Sequence, residues 1–252
     1  MRIENTAAIV TGGASGLGAA TTQALTKRGA KVFAFDLPAA VERAQGGDSI
    51  EYIAVDVTDP AQVRSAVSEA AGSGLPLRTV VNCAGIGPSM RILGKKGVHD
   101  LALYAKVVQV NLVGSFNVLA LASERIAEAK ADEYGQRGVI INTASVAAYE
   151  GQVGQAAYSS SKGGILGLTL PAARDLAQYG IRVCTVAPGI VDTPMLATVS
   201  EDFRAGLADG VPFPKRLARP DEYAQLALAI IEHDYLNGET IRMDGALRMT
   251  AR

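Results

Sequence analysis

Residues 6–36 run TAAIVTGGASGLGAATTQALTKRGAKVFAFD. An apolar run from Ala7 to Thr11 leads into a turn carrying Gly12, Gly16 and Gly18, then a helical stretch starting near Gly16, then a second apolar run from Lys31 to Asp36. Strand, glycine turn, helix and strand in this order are the context of a dinucleotide fingerprint. Glycines without Cβ let a pyrophosphate approach the backbone and let the helix pack close to the sheet. The helix N-terminus adds unpaired N–H groups and a partial positive charge. Asp36 lies 18 residues beyond Gly18 (36 − 18), near the roughly 20 expected of an acid that accepts from a ribose hydroxyl. The segment therefore predicts a dinucleotide site. A carboxylate accepts from a 2′-hydroxyl and repels a 2′-phosphate, and neither Ser15 nor Leu37 supplies a cation, so NAD is expected over NADP.

Further apolar runs bounded by turns recur at Glu51 to Val55, Thr79 to Asn82, Val139 to Thr143, Ile181 to Val186 and Thr240 to Met243, most of them separated by helical stretches. That alternation predicts an α/β, doubly wound Rossmann-type fold: a parallel seven-stranded sheet with helices on both faces. At 252 residues, 48% hydrophobic, residues 1–252 are expected to form a single domain around one large core. With 24 basic and 25 acidic residues, a formal charge of −1 and a pI near 6.2, nothing suggests a grip on nucleic acid. No uninterrupted apolar run reaches membrane length, and the first strand starts too near Met1 for a removable signal. A cytoplasmic address is expected, or the mitochondrial matrix if the source is eukaryotic. Cys83 and Cys184 lie in apolar segments as reduced core residues. With only His99 and His233 beside them, both expected at the surface, no metal site is expected.

The stretch NTASVAAYEGQVGQAAYSSSK, residues 142–162, sets Ser145 ahead of Tyr158 and Lys162, which stand at i and i+4. On a helix that spacing shares one face. A free tyrosine, with a pKa near ~10, is a poor base at neutral pH, and an adjacent ammonium favours its phenolate. Tyr158 is thus expected to accept a proton, Ser145 to hold the reacting oxygen and Lys162 to steady the charge that develops there.

Two irregular segments are expected to form the substrate mouth, at about 86–99 and 190–219. The first follows a strand end and carries Arg91, Lys95 and Lys96; the second holds Lys215, Arg216 and Arg219. These cations either meet phosphates of coenzyme A or form solvated loops. From Asp100 to about Lys130 the helical pattern is apolar on more than one stripe, which asks for a second partner beyond the sheet. Self-association is the simplest supply. Gly163, Gly164 and Gly167 permit close backbone contact in the helix after Tyr158, and Pro171 is expected to kink it.

TGGASGLG at 11–18, NCAG at 82–85, Asn111, Ser145, YSSSK at 158–162 and PG at 188–189 occur in an order that resembles the short-chain dehydrogenase/reductases over nearly the whole chain. Within them, residues 137–183, KKG in the loop after NCAG and VPFP…LNGETIRMDGALRM resemble the type II 3-hydroxyacyl-CoA dehydrogenases, known also as 17-beta-hydroxysteroid or 3-hydroxy-2-methylacyl-CoA dehydrogenases. The resemblance implies an NAD-dependent oxidoreductase interconverting a secondary alcohol and a ketone, 3-hydroxyacyl-CoA and 3-oxoacyl-CoA in the first instance. A hydroxysteroid dehydrogenase, a 3-oxoacyl-carrier-protein reductase and a scaffold or RNA-associated subunit with incidental catalysis are the alternatives. It further implies Tyr158 as acid/base, Lys162 on the nicotinamide ribose, Ser145 on the substrate oxygen and Asn111 holding a water that links Lys162 to solvent. Asn111 bonding to backbone at a helix bend is the other reading. For the cofactor it implies Gly12, Ser15, Gly16, Leu17 and Gly18 in the glycine turn, Asp36 at the ribose, and Asp56 with Val57 at the adenine. Asn82, Ala84 and Gly85 would line the path to the nicotinamide, which Pro188, Gly189, Ile190 and Thr193 would flank. The implied partners are an acyl-CoA or steroid alcohol and further copies of the chain in a homotetramer, with no membrane and no nucleic acid. The loop after NCAG is shorter than in the animal members of that group.

Overall fold

The computed structural model describes residues 1–95, 97–196 and 201–251. Seven parallel strands form one sheet: β1 Ala7–Thr11, β2 Lys31–Asp36, β3 Ile50–Ala54, β4 Leu77–Asn82, β7 Gly138–Thr143, β8 Ile181–Pro188 and β9 Thr240–Met243. Their order is β3-β2-β1-β4-β7-β8-β9, so the direction of winding reverses between β1 and β4. The central strands β1, β7 and β8 are buried along their whole length, which is why they read as unbroken apolar runs.

Each sheet face has its own core. Ile9, Phe33, Phe35, Val80, Ile140 and Val183 meet α3 (Pro60–Ala71), α5 (Ser115–Glu128) and α6 (Ala156–Ala177) on one side. On the other, Ala8, Val10, Val32, Val81, Ile141 and Val186 meet α1 (Gly16–Lys27) and α8 (Pro220–Glu232). Local signals set the helix starts: Asp59 caps α3 through Ala61 N and Gln62 N, with Pro60 at its first turn. Asp100 accepts from Ala102 N to start α4 (Leu101–Val108).

A single π turn, Gln109–Gly114, joins α4 to α5. The continuous rod Leu101–Glu128 is by length and composition long and apolar enough to cross a membrane. Its Val107, Val118, Leu119, Ala122 and Ile126 are nevertheless buried in the protein. α6 continues through Pro171. Among the described residues, a Cβ on Gly164 would lie 2.5 Å from Leu112, while one on Gly163 or Gly167 would meet nothing within 4 Å.

Both irregular segments carry local structure. The first holds a two-stranded hairpin, β5 Leu93–Gly94 with β6 Gly97–Val98, and Met90 N ties it to Gly154 O at 2.8 Å. In the second, α7 spans Glu201–Asp209, and Val191 and Ala218 form an isolated bridge at its foot. Lys96 lies outside the described residues. His233 is exposed, and His99 lies at the surface, partly covered, with its ring edge-on to Tyr104.

Candidate active site

In open α/β sheets a crevice forms outside the carboxyl ends of the strands where the order reverses. Here it lies between Thr11 at the end of β1 and Asn82 at the end of β4. The chain leaves β1 through Gly12 in the left-handed region (φ +65°), and a Cβ there would sit 3.0 Å from Ala84 N. Thr11 Oγ1 takes the Ala84 N–H at 3.1 Å, fastening the two strand ends together. A Cβ on Gly18 would reach to 2.0 Å from the carbonyl oxygen of Gly12. These are the contacts of a turn folded against its own helix, which is the cradle a pyrophosphate requires.

Asp36, at the end of β2, accepts from Ala14 N at 3.0 Å and from Leu37 N at 2.8 Å. Its carboxylate thereby borders the glycine turn. Thr58 donates to Asp56 through both its N–H and its hydroxyl. The Val57 side chain is wedged beneath Gly114, and its carbonyl accepts from Asn117. Thr193 lies 3.5 Å from the point a Cβ of Gly16 would occupy, so the second irregular segment starts over the N-terminus of α1, beside Ser15 and Leu17. Gly189 abuts Asp244, and Pro188 falls inside β8, paired with Met243. The Ile190 carbonyl accepts from Ala218 N at 3.0 Å. These residues rim one side of the crevice.

The Ser145, Tyr158 and Lys162 side chains converge at the ends of β7 and α6. Ser145 caps the short turn Val146–Ala148 by accepting from Ala147 N at 3.1 Å. Burial pushes the Tyr158 phenol above its ordinary value, and a hydrogen bond from Ser145 pulls it partly back. The net direction is upward, opposite to the lowering expected, because burial outweighs the groups that favour the phenolate. The Lys162 ammonium points past the phenol, 5.8 Å from the ring centroid, and donates to Thr143 O at 2.7 Å. Burial depresses Lys162 itself to about 8, countered in part by Cys83.

Asn111 sits in the π turn, a distortion frequent at functional sites. Its Oδ1 accepts from Ile86 N at 2.8 Å, and its Nδ2 donates to Ile86 O at 2.9 Å and to Ser161 Oγ at 3.0 Å. A Cβ on Gly85 would lie 3.2 Å from Asn111 Oδ1 and 3.6 Å from Lys162 Nζ, so the three groups share one corner. Asn82 turns inward, donating to Asn142 Oδ1 at 2.9 Å across the β4–β7 pair. It braces the strand end.

The expected cation cluster divides. Arg216 makes a paired contact with both carboxylate oxygens of Glu222, and Arg219 bridges Asp221 and Glu222. Both are thereby bound to α8. Arg91, Lys95 and Lys215 remain exposed. Sequence reasoning missed Thr11, Thr143, Ser161 and Tyr223; only Thr143, two residues before Ser145 at a strand end, had a local signal.

A doubly wound parallel sheet with a glycine cradle at its switch point and a Ser, Tyr, Lys set beside it defines a dinucleotide-dependent oxidoreductase. The chain belongs to the short chain dehydrogenase family, whose profile matches residues 6–204. It is 48% identical over 252 residues to the 3-hydroxyacyl-CoA dehydrogenase type-2 of Drosophila melanogaster, covering 98% of this chain and 99% of that one. Identity to the human protein of the same name is 50%, over 98% and 97% of the two chains. A crystal structure of 3-hydroxyacyl-CoA dehydrogenase type-2 from Mycobacterium avium superposes with a TM-score of 0.92 at 40% identity, covering 98% of each chain.

Proposed function

We propose that the protein interconverts 3-hydroxyacyl-CoA and 3-oxoacyl-CoA with NAD as its coenzyme. The observation that carries this is the placement of Lys162 at the crevice, its ammonium 5.8 Å from the Tyr158 ring centroid and donating to the carbonyl of Thr143, two residues before Ser145. Gly12, Gly18 and the start of α1 fit the pyrophosphate, and Asp36 fits an unphosphorylated adenosine ribose. The bound coenzyme supplies the hydride acceptor or donor. Tyr158 takes the proton from the substrate hydroxyl as the ketone forms, and returns it in reduction. Ser145 donates to the same oxygen and fixes its position. Lys162, held near the phenol, stabilises the phenolate by its charge.

The relatives' printed activity supports the acyl-CoA class, and the exposed Arg91 and Lys95 of the hairpin segment suit its phosphates. Self-association is supported by the face around α5 and α6, and the tetramer is the assembly that the family resemblance implies. Phe116, Val113, Leu170 and Tyr179 are exposed there, and a groove of about 540 Å³ runs between Phe116, Leu168, Pro171 and Tyr179. The free thiols Cys83 and Cys184 suit a reducing compartment, the cytosol or the mitochondrial matrix. A substrate panel read by NADH absorbance tests the proposal: acetoacetyl-CoA should be reduced with NADH in preference to NADPH. Turnover of steroid ketones alone would overturn the acyl-CoA assignment.

A further inference from the structure

Tyr223 is fully buried on α8, the helix that covers the sheet face opposite α6. A phenylalanine would fill the same apolar space, and a buried hydroxyl is costly unless it is bonded. The Tyr223 hydroxyl lies 2.7 Å from Thr143 Oγ1. Cys83 Sγ donates to it at 3.7 Å, and Thr143 Oγ1 donates to Cys83 Sγ at 3.8 Å. With Tyr223 donating to Thr143, each of the three groups gives one hydrogen and receives one. The ring closes at the last residue of β7, joining it to the residue after β4 and to α8. The backbone carbonyl of that same Thr143 receives the Lys162 ammonium at 2.7 Å.

We propose that Tyr223 is a positioning residue for Lys162: its hydroxyl pins the Thr143 side chain and so fixes the carbonyl that aims the ammonium. The inference rests on Lys162 acting in the site proposed above. Without the Tyr223 hydroxyl, Thr143 Oγ1 keeps only the long contact to sulfur, and the strand end gains freedom to turn. Among the described residues, the titratable groups facing Lys162 are Tyr158 on its own helix and Cys83 beyond β4; Tyr223 stands behind Thr143.

The test compares Tyr223→Phe, Thr143→Val, Thr143→Ser and the Tyr223→Phe/Thr143→Val pair, with kcat measured across pH 6–10 and the Tm of each variant. Tyr223→Phe should lower kcat at neutral pH by roughly five- to tenfold and move the inflection of the profile by about half a pH unit or more. Thr143→Val should do the same, and the pair should lose little more than either alone, because each single variant already removes the short Tyr223–Thr143 bond and the two differ only in the long contacts to sulfur. Thr143→Ser, which keeps the hydroxyl, should retain the parent profile. A profile identical to the parent's with kcat within about twofold in both single variants would overturn the inference, whatever happens to Tm; so would losses that multiply in the pair. Lys162→Met run alongside separates the two levels. If it loses turnover while Tyr223→Phe does not, only the positioning role fails, whereas near-parental turnover by Lys162→Met removes the site reading beneath it.

Discussion

The Lys162 ammonium is buried and donates to the Thr143 carbonyl oxygen, so the chain holds a cation in the core beside its phenol at a cost in stability. Burial brings that ammonium down to about 8. Below that pH both folded and unfolded chains carry the proton, and the full desolvation penalty is present. Between about 8 and the ordinary value of 10.5 the folded chain releases the proton first, and the penalty fades. Lys162→Met should therefore raise stability at pH 7 by about 1–3 kcal/mol, net of the lost hydrogen bond. The gain should shrink by pH 10. Thermal melts of the two proteins at both values check the sign, and an equal or larger gain at pH 10 would contradict it.

Burial that raises the Tyr158 phenol keeps it protonated, and so a proton donor, throughout the neutral range. Oxidation of the alcohol needs the phenolate, so its kcat should climb from pH 7 to pH 10, while ketone reduction stays level or falls. Initial rates in the two directions over that interval decide the matter. An oxidation rate independent of pH would show that another group takes the proton.

A Cβ at residue 18 would meet the Gly12 carbonyl at 2.0 Å, and that oxygen belongs to backbone. Gly18→Ala should accordingly cost about 1–3 kcal/mol in folding and weaken NADH binding. Denaturant unfolding and NADH fluorescence titration measure the two effects. Unchanged values for both would mean that α1 does not pack on the turn as described.

Asp36 places its carboxylate against the glycine turn through Ala14 N. Asp36→Ala should lower the ratio of kcat/KM for NADH over NADPH by about tenfold or more, since one lost repulsion of about 1.4 kcal/mol suffices for that factor. A ratio that does not move would locate coenzyme selection elsewhere.

Glu222 is held down to about 2, first by its hydrogen bonds from the Arg216 side chain and then by the Arg219 backbone N–H. A depressed carboxylate contributes stability above its ordinary value of 4.5 that is lost as pH falls toward about 2. Glu222→Gln should thus destabilise the protein at pH 7 and make its Tm fall less steeply below pH 4.5. Parallel melts from pH 7 to pH 3 test this; parallel slopes would contradict it.

Much of the fold was legible because the decisive signals are local. β1 and β2 occupy Ala7–Thr11 and Lys31–Asp36 as read, each an apolar run bounded by a turn. β3 is displaced by one residue from Glu51–Val55, and β4 starts earlier, at Leu77 rather than Thr79; each begins directly after a breaker, Gly47-Asp48-Ser49 and Pro76, that marks the true boundary. The β5–β6 hairpin escaped notice because its strands are two residues long and each contains glycine. Ser145, Tyr158, Lys162 and Asn111 come together as expected, yet the direction of the Tyr158 shift was hidden. The i,i+4 spacing displays a neighbouring charge, whereas desolvation depends on what the fold packs around the phenol. The bonds that tie Tyr223 to Thr143 and Cys83 were out of reach for a related reason: they join residues 80 and 140 positions apart. The Arg219 and Glu222 pairing was readable in principle, since a Pro at the first helical position followed by two acids is a helix-start signal.

The central claim, that Tyr158 moves the proton in an NADH-linked ketone reduction, is tested most directly by acetoacetyl-CoA-dependent NADH consumption in the parent and in Tyr158→Phe. The parent should consume NADH only when the ketone is present, and Tyr158→Phe should lose about 10²–10⁴-fold in kcat while still binding NADH. A variant that turns over within a few-fold of the parent, or a parent inert toward every ketone offered, would contradict the claim.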